Sequence, residues 1–209
     1  MADEIIFYTN PMSRGQIARW MLEEVGQPYQ AVILDFDTTM KADDYLAINP
    51  MGKVPAIVHR GKTVTEAAAI CAYLADAFPD AGLAPPADQR ADYYRWLFFA
   101  AGPVEAAVSN NALGLVVPEG RERSIGYGNF DQTIDTLEQA VSRDQWICGD
   151  QFTAADVYVG AQIDWGLSFG TIGTRPAFEA YAARLRERPA YKRQKQLDNA
   201  LIAQMQRPA

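Results

Sequence analysis

The apolar pattern of this chain changes period once, at a proline-rich break. Ahead of residue 79, short β-prone runs alternate with helical windows; beyond residue 86, apolar residues recur at helical spacing only. The break, Pro79-Asp80-Ala81-Gly82-Leu83-Ala84-Pro85-Pro86, has no period and is rich in Pro and Gly, as linkers between compact parts are. Residues 1–79 are therefore expected to form an α/β domain, 80–86 a linker, and 87–209 an all-helical domain. A chain of 209 residues is long enough for each part to bury a core.

The first part reads as βαβαββα. Glu4 to Thr9 is a strand closed by Asn10-Pro11, and Arg14 to Val25 carries Ile17, Met21, Leu22 and Val25 on one helical face before Gly26. Tyr29 to Leu34 is a second strand, Thr38 to Ile48 is loosely helical, and Asn49-Pro50-Met51-Gly52 is a turn. Val54 to Val58 and Lys62 to Val64 flank Arg60-Gly61 as a hairpin, and Glu66 to Phe78 is helical. The second part has helical windows near 87–117, 127–143, 154–168 and 177–200, the first expected to kink at Pro103 and the last to break at Pro189.

Composition excludes several classes. Nineteen basic against 26 acidic residues give a net charge of −7, which argues against a nucleic-acid partner, whose affinity rests on phosphate neutralisation. The start, Met1-Ala2-Asp3-Glu4, is acidic where a signal peptide is basic, and no apolar run is long enough for a membrane span, so a cytoplasmic location without membrane contact is expected. Two distant cysteines, Cys71 and Cys148, and the single histidine, His59, predict neither a Cys-x-x-Cys redox pair nor a metal site.

Three motifs in this order carry a resemblance over essentially the full chain. Asn49-Pro50-Met51-Gly52-Lys53-Val54-Pro55-Ala56-Ile57, Thr65-Glu66-Ala67-Ala68-Ala69-Ile70-Cys71-Ala72-Tyr73-Leu74 and Phe152-Thr153-Ala154-Ala155-Asp156 resemble segments of the cytosolic glutathione transferases, in particular their bacterial theta-like, serine-using members. The resemblance implies a thioredoxin-like domain followed by an α-helical bundle, assembled as a homodimer. It implies glutathione as co-substrate, conjugated through its sulfur to a small apolar electrophile, in detoxification. A protein that binds glutathione or hydrophobic ligands without turnover, and a glutathione-dependent peroxidase or isomerase, are the alternatives.

The same resemblance assigns the glutathione site. In the family the proline at Pro55 is cis, and Val54 would pair with the cysteinyl backbone of the tripeptide as a strand adds to a sheet edge. Glu66 and the amides at the start of its helix would hold the γ-glutamyl end, although an acidic residue at a helix N-terminus is favourable without any ligand. Ala67 stands where the family usually has serine, one hydrogen bond fewer. Lys53 matches the cation for the glycine carboxylate, and Lys41 lies where a second is often supplied; both also read as solvated surface lysines. Thr153 and Asp156 read as a capping box with a structural role.

Chemistry of this kind requires the glutathione thiol, with a pKa near 8.5, to be a thiolate at neutral pH. A shift of about two units needs roughly 2.7 kcal/mol, within reach of a hydroxyl donor at a helix N-terminus. Ser13, just after the first strand, is the leading candidate; Ser13-Arg14-Gly15-Gln16 also reads as a capping box. Tyr8 is the runner-up, followed by Thr9 and Asn10. Arg19 reads as a structural tie. The aromatic run Tyr93-Tyr94-Arg95-Trp96-Leu97-Phe98-Phe99 is the stretch that the resemblance associates with the electrophile, and only part of it can face any one cavity.

Overall fold

The computed structural model describes residues 4–206. Of the acidic start, Met1 to Asp3 lie outside the described residues. Two compact units are formed: the chain up to Ala81 together with everything from Glu187 onward, and Gly82–Arg186.

The first unit is a four-stranded mixed sheet in the order β2-β1-β3-β4, with β1 at Ile5–Thr9, β2 at Tyr29–Ile33, β3 at Ala56–His59 and β4 at Lys62–Thr65. Strands β1 and β2 run parallel, Ile5 opposite Tyr29, because helix α1 (Gly15–Val25) crosses between them; β3 returns antiparallel with Ala56 opposite Tyr8. The β3–β4 turn has Arg60 and Gly61 both at positive φ, 52° and 70°, the type I′ geometry that suits the right-handed strand twist. Side chains alternate along β1. Ile5, Phe7 and Thr9 are buried, and Phe7 lies beneath α1, where the Arg19 guanidinium sits 5.2 Å from its ring centroid. Tyr8 faces the other way, against Tyr45 of the short helix α2 (Asp43–Leu46), within a cluster of Leu34, Met40 and Ala56. Helix α3 (Ala67–Ala77) buries Ile70, Cys71, Leu74 and Ala75 and packs beside α1. His59 is core, with Nδ1 3.0 Å from the Tyr73 hydroxyl and its ring stacked on Phe78.

The C-terminal helix α9 (Pro189–Met205) belongs to this first unit, whereas the sequence pattern grouped it with the helical part. It packs along α1. Arg19 Nε donates to Asp198 Oδ1 at 2.8 Å with both side chains buried, Arg188 grips Glu24 through two bonds of 2.7 Å, and Arg193 bonds Glu23 at 2.6 Å. Arg19 thus ties α1 to α9, and through the Tyr29 hydroxyl, 3.1 Å away, to β2. Burial and the carboxylate of Glu23 push the Tyr29 phenol up to about 12.

The second unit is helical: α4 (Ala91–Phe99), α5 (Glu105–Ala112), α6 (Phe130–Val141), α7 (Ala154–Phe169) and α8 (Pro176–Arg186). The expected kink at Pro103 takes the form of a π-helical turn, Ala100–Val104, that joins α4 to α5; the wider turn absorbs the missing N–H and the ring while the helix continues. The last window breaks where expected, between Arg186 and Pro189, and Pro189 opens the next helix at its first turn, where its missing N–H costs nothing. Helix α7 is buried on nearly every side, and Gly160 permits the Leu185 side chain of α8 to lie on its backbone, since a Cβ there would overlap it. Its N-terminus is closed by the expected Thr153–Asp156 capping box: Thr153 N–H donates to Asp156 Oδ2 at 2.8 Å. The Asp156 carboxylate is wholly buried and also accepts from Ile147 N–H at 2.8 Å and the Tyr181 hydroxyl at 2.5 Å. Burial pushes its pKa above the ordinary carboxylate value, against the opposing pull of these donors.

Candidate active site

The sheet registers bring the sequence-selected residues of the first unit to one end of the sheet. Because Ala56 lies opposite both Tyr8 of β1 and Thr65 of β4, the residues that follow β1, precede β3 and follow β4 meet at the same end of the sheet. The turn after β1, the approach to β3 and the start of α3 therefore converge where β1 ends. In sheets of this kind the crevice beyond the strand ends is where ligands bind.

The approach to β3 is fixed by polar anchors. Asn49 Oδ1 accepts from Met51 N–H at 3.1 Å, and its amide donates to the Lys53 carbonyl at 2.7 Å. The buried Tyr45 hydroxyl donates to the same carbonyl at 2.6 Å, its phenol pushed up to about 12 by burial. Lys41 Nζ donates to the Gly52 carbonyl at 2.6 Å. Gly52 adopts φ 55°, and a side chain there would crowd Leu46, the Met40 carbonyl and Lys41 Nζ. Held from three sides, this segment delivers a cis Val54–Pro55 bond, with Pro55 buried and Val54 ahead of the residues of β3 that pair with β1 and β4. The Lys53 side chain is exposed, and the Lys41 ammonium ends beside Gly52, so the two cations flank one turn. Tyr45 and Asn49 were not selected from sequence. The Asn-Pro-x-Gly spelling of the turn was the available signal for Asn49; nothing local marks Tyr45.

Glu66 caps α3 with φ 64° and ψ 119°, a conformation that costs a non-glycine residue about 1–3 kcal/mol. Its carboxylate is exposed and takes no hydrogen bond or ion pair among the described residues. Behind it Ala67 is buried, and the first-turn amides of α3, like those of any helix, lack intrahelical acceptors. The strained backbone therefore aims a carboxylate away from the protein beside a set of free N–H donors.

Around the turn after β1 the hydroxyls are arranged differently from the sequence expectation. Ser13 Oγ accepts from Gly15 N–H at 2.9 Å and donates its proton to the Asn10 carbonyl at 2.7 Å. The capping box is not formed: Ser13 N–H also turns back to the Asn10 carbonyl, and the Gln16 side chain reaches the Pro11 carbonyl at 2.6 Å instead of the Ser13 amide. The reason is that α1 begins at Gly15, so that Ser13 sits one residue too early to cap it. Ser13 remains half-buried. A hydroxyl proton swings about the Cβ–Oγ bond, so an anion brought to Ser13 competes with a neutral carbonyl for it. Asn10 is wholly buried and structural, its amide on the Leu34 carbonyl at 2.8 Å and its Oδ1 accepting from Met12 N–H at 2.9 Å. Thr9 is wholly buried, its Oγ1 without a hydrogen-bond partner among the described residues and packed against Gly15 where a Cβ would stand. Tyr8 points to the α2 face and packs on Tyr45, with ring centroids 5.4 Å apart.

In the second unit the aromatic run of α4 divides by helical period. Tyr93, Trp96 and Leu97 are buried, whereas Tyr94 and Phe98, one turn apart, are 44% and 73% exposed. Among the described residues no group of His, Cys, Asp and Glu is clustered as metal ligands are, and no helix is long and apolar enough to cross a membrane.

Residues 3–76 match the family of glutathione S-transferase N-terminal domains, and residues 105–165 that of glutathione S-transferase C-terminal domains. The chain belongs to the glutathione S-transferase family. Among its curated relatives is glutathione S-transferase GstA of Escherichia coli O157:H7, 29% identical over 176 residues, which span 80% of this chain and 86% of the relative. Glutathione S-transferase GST-4.5 of Xanthomonas campestris is 28% identical over 187 residues, 85% of this chain and 91% of that one. Among solved structures, the URE2P6 glutathione transferase of Phanerochaete chrysosporium, in complex with oxidized glutathione, superposes with TM-score 0.78 at 25% identity, covering 95% of this chain and 97% of that one. A sphingomonad glutathione S-transferase complexed with glutathione gives TM-score 0.74 at 26% identity, over 93% and 98%. The glutathione transferase fold, a thioredoxin-like sheet domain followed by a helical domain, is thus the fold of this chain.

Proposed function

We propose that this protein is a serine-type glutathione transferase that conjugates the glutathione sulfur to a small apolar electrophile. The observation that carries the reading is Glu66: a non-glycine residue held in a costly backbone conformation, its carboxylate without a hydrogen-bond or ion-pair partner among the described residues, beside the first-turn amides of α3. In this reading Glu66 pairs with the γ-glutamyl ammonium of the tripeptide, and the amides of Ala67 and its neighbour take the adjacent carboxylate. The Val54 backbone pairs with the cysteinyl residue beside the cis Pro55, and Lys53 and Lys41 face the glycine carboxylate. Val54 and Pro55 on one side and Glu66 and Ala67 on the other come from two segments that the pairing of β3 with β4 brings to the same end of the sheet, which supports a single ligand lying across them.

Ser13 stabilises the thiolate. On binding, its proton leaves the Asn10 carbonyl for the sulfur while Oγ keeps the Gly15 N–H, so the hydroxyl stays oriented and the helix dipole adds to the field at the sulfur. Asn10, whose amide and oxygen already serve the fold, and Tyr8, on the α2 face, are poorer candidates. Thr9 is enclosed beneath Gly15. The thiolate then attacks the electrophilic carbon and displaces its leaving group, forming a thioether. The exposed Tyr94 and Phe98 offer apolar surface to the electrophile or to the second copy of a homodimer. A cytoplasmic role in detoxification is the setting this chemistry suits.

A second reading is favoured by one observation: Ala67 removes a hydroxyl contact and Ser13 spends its proton on a carbonyl, as in a protein that holds glutathione without turning it over. Turnover in the parent decides between them, and Ser13→Ala tests the serine. Conjugation of glutathione to an aryl halide should fall about 10–100-fold, with glutathione affinity by calorimetry within about threefold of the parent. Undiminished turnover in that variant overturns the role given to Ser13, and absence of turnover in the parent, against halides, hydroperoxides and epoxides alike, leaves the binding protein.

A further inference from the structure

The turn that carries Ser13 is held from outside by the C-terminal helix. Gln16, in the first turn of α1, donates from Nε2 to the Pro11 carbonyl at 2.6 Å. Its Oε1 accepts from Lys195 Nζ of α9 at 3.2 Å. The ammonium settles which end of the amide is oxygen, so Nε2 must face Pro11. Lys195 is itself fixed: its Nζ lies 5.4 Å from the Tyr191 ring centroid, and Tyr191 meets Trp20 of α1 edge to face at 5.1 Å. The Pro11 carbonyl is the middle of the Asn10–Ser13 turn, whose other anchors are the Asn10 amide on the Leu34 carbonyl and Ser13 on the Asn10 carbonyl. Without Gln16 the turn keeps its ends but loses the hold on its centre.

We propose that Gln16, oriented by Lys195, is a positioning residue for the Ser13 hydroxyl, so that the last helix of the chain sets the geometry of the thiolate site at its beginning. The proposal rests on the assignment of Ser13 to the sulfur. A hydroxyl proton shared between a carbonyl and a sulfur is sensitive to small displacements of the turn, because hydrogen bonds weaken steeply with angle. The charged groups about α1 and α9 that bear on the sulfur's ionisation are Arg14, Lys195 and the buried Arg19–Asp198 pair. Gln16→Leu alters none of these charged residues, and the Ser13→Ala background separates a positional effect from any shift of the released Lys195 ammonium.

The test uses the full-length protein with glutathione bound, reading the ultraviolet absorbance of the thiolate against pH, and kcat/KM with an aryl halide. Gln16→Leu should raise the titration midpoint by about half a unit and lower kcat/KM about three- to fivefold, with KM for glutathione within about twofold. Lys195→Met should shift it in the same direction by less, and Lys195→Arg should restore the parent value. In a Ser13→Ala background Gln16→Leu should add nothing. A lowered melting temperature with an unmoved midpoint, or a shift that persists undiminished without Ser13, overturns the proposal. Ser13→Ala separates the two failures: an unmoved midpoint there fells the Ser13 assignment and the proposal with it, whereas a raised midpoint there with none in Gln16→Leu fells the relay alone. Should Gln16→Leu not fold, Lys195→Met, on a half-exposed side chain, is read with and without Ser13: a shift that vanishes in the Ser13→Ala background is positional and supports the proposal, and one that persists is the lost charge and overturns it.

Discussion

Glu66 and Ser13 show how far single residues were legible. Both could be selected from sequence, Ser13 by its place after the first strand and Glu66 by its place at a helix start. What the spelling concealed was conformation. Any helix can begin with a glutamate, and only the backbone reveals that this one sits at φ 64° with its carboxylate unpaired. Likewise S-x-x-Q is a capping box only if the helix starts one residue after the serine; it starts at Gly15, and the hydroxyl goes to the nearest free carbonyl. The Glu66 geometry predicts opposite effects on stability and binding. Glu66→Gly removes an exposed side chain that makes no hydrogen bond or ion pair among the described residues and relieves the backbone strain, at the cost of about 0.5–1 kcal/mol of unfolded-chain entropy. Stability by urea denaturation should stay level or rise by up to about 2 kcal/mol, while glutathione affinity by calorimetry falls at least about tenfold. A variant that binds normally would remove Glu66 from the site, and one that is less stable would mean the carboxylate supports the fold.

Elements were more legible than their partners. The Thr153–Asp156 box was readable because its two residues are neighbours in sequence, but Asp156 also gathers Ile147 N–H and the Tyr181 hydroxyl, which no local pattern connects. Four donors converge on one buried carboxylate, Thr153 supplying both its amide and its hydroxyl. Asp156→Asn keeps the size but substitutes an amide donor for one accepting oxygen, so at least one buried donor loses its acceptor. A loss of about 2–3 kcal/mol at pH 7 is expected, measured by urea denaturation. The pH dependence follows from the raised pKa of Asp156. A carboxyl that is harder to ionise in the folded than in the unfolded state contributes stability that is full below the unfolded value of about 3.9 and fades as pH rises through the folded value. The advantage of the parent over Asp156→Asn should therefore be larger near about pH 3.5 than at pH 7, since other carboxylates titrate alike in both. An advantage that shrinks on acidification would mean that the four donors outweigh burial.

At the scale of the molecule, the proline-rich break at 79–86 was the strongest signal in the sequence, and the chain leaves its first compact unit after Ala81. What the break could not convey is that the chain comes back. Helix α9 has the same helical spacing as its predecessors, and a period specifies a buried face without specifying what buries it. Its contacts are made by charged residues, Arg188, Arg193 and Asp198, reaching Glu24, Glu23 and Arg19 of α1, and of these only Arg19 reads in sequence as a structural tie. Arg19 and Asp198 are both buried, so losing one partner strands a charge, which costs about 3–5 kcal/mol where it has been measured. The consequence for the whole chain is that its first unit is closed by its last helix. Ending the chain after Arg186 should accordingly damage the sheet unit, which is distant in sequence from the cut, and spare α4–α8, which adjoin it. Amide hydrogen exchange resolves the two: protection of β1, β3 and α1 should fall toward that of an open state while α4, α6 and α7 keep most of theirs. Protection lost first from α7 and α8, with the sheet intact, would mean that α9 is an appendage of the helical unit and that the α1–α9 ion pairs contribute little.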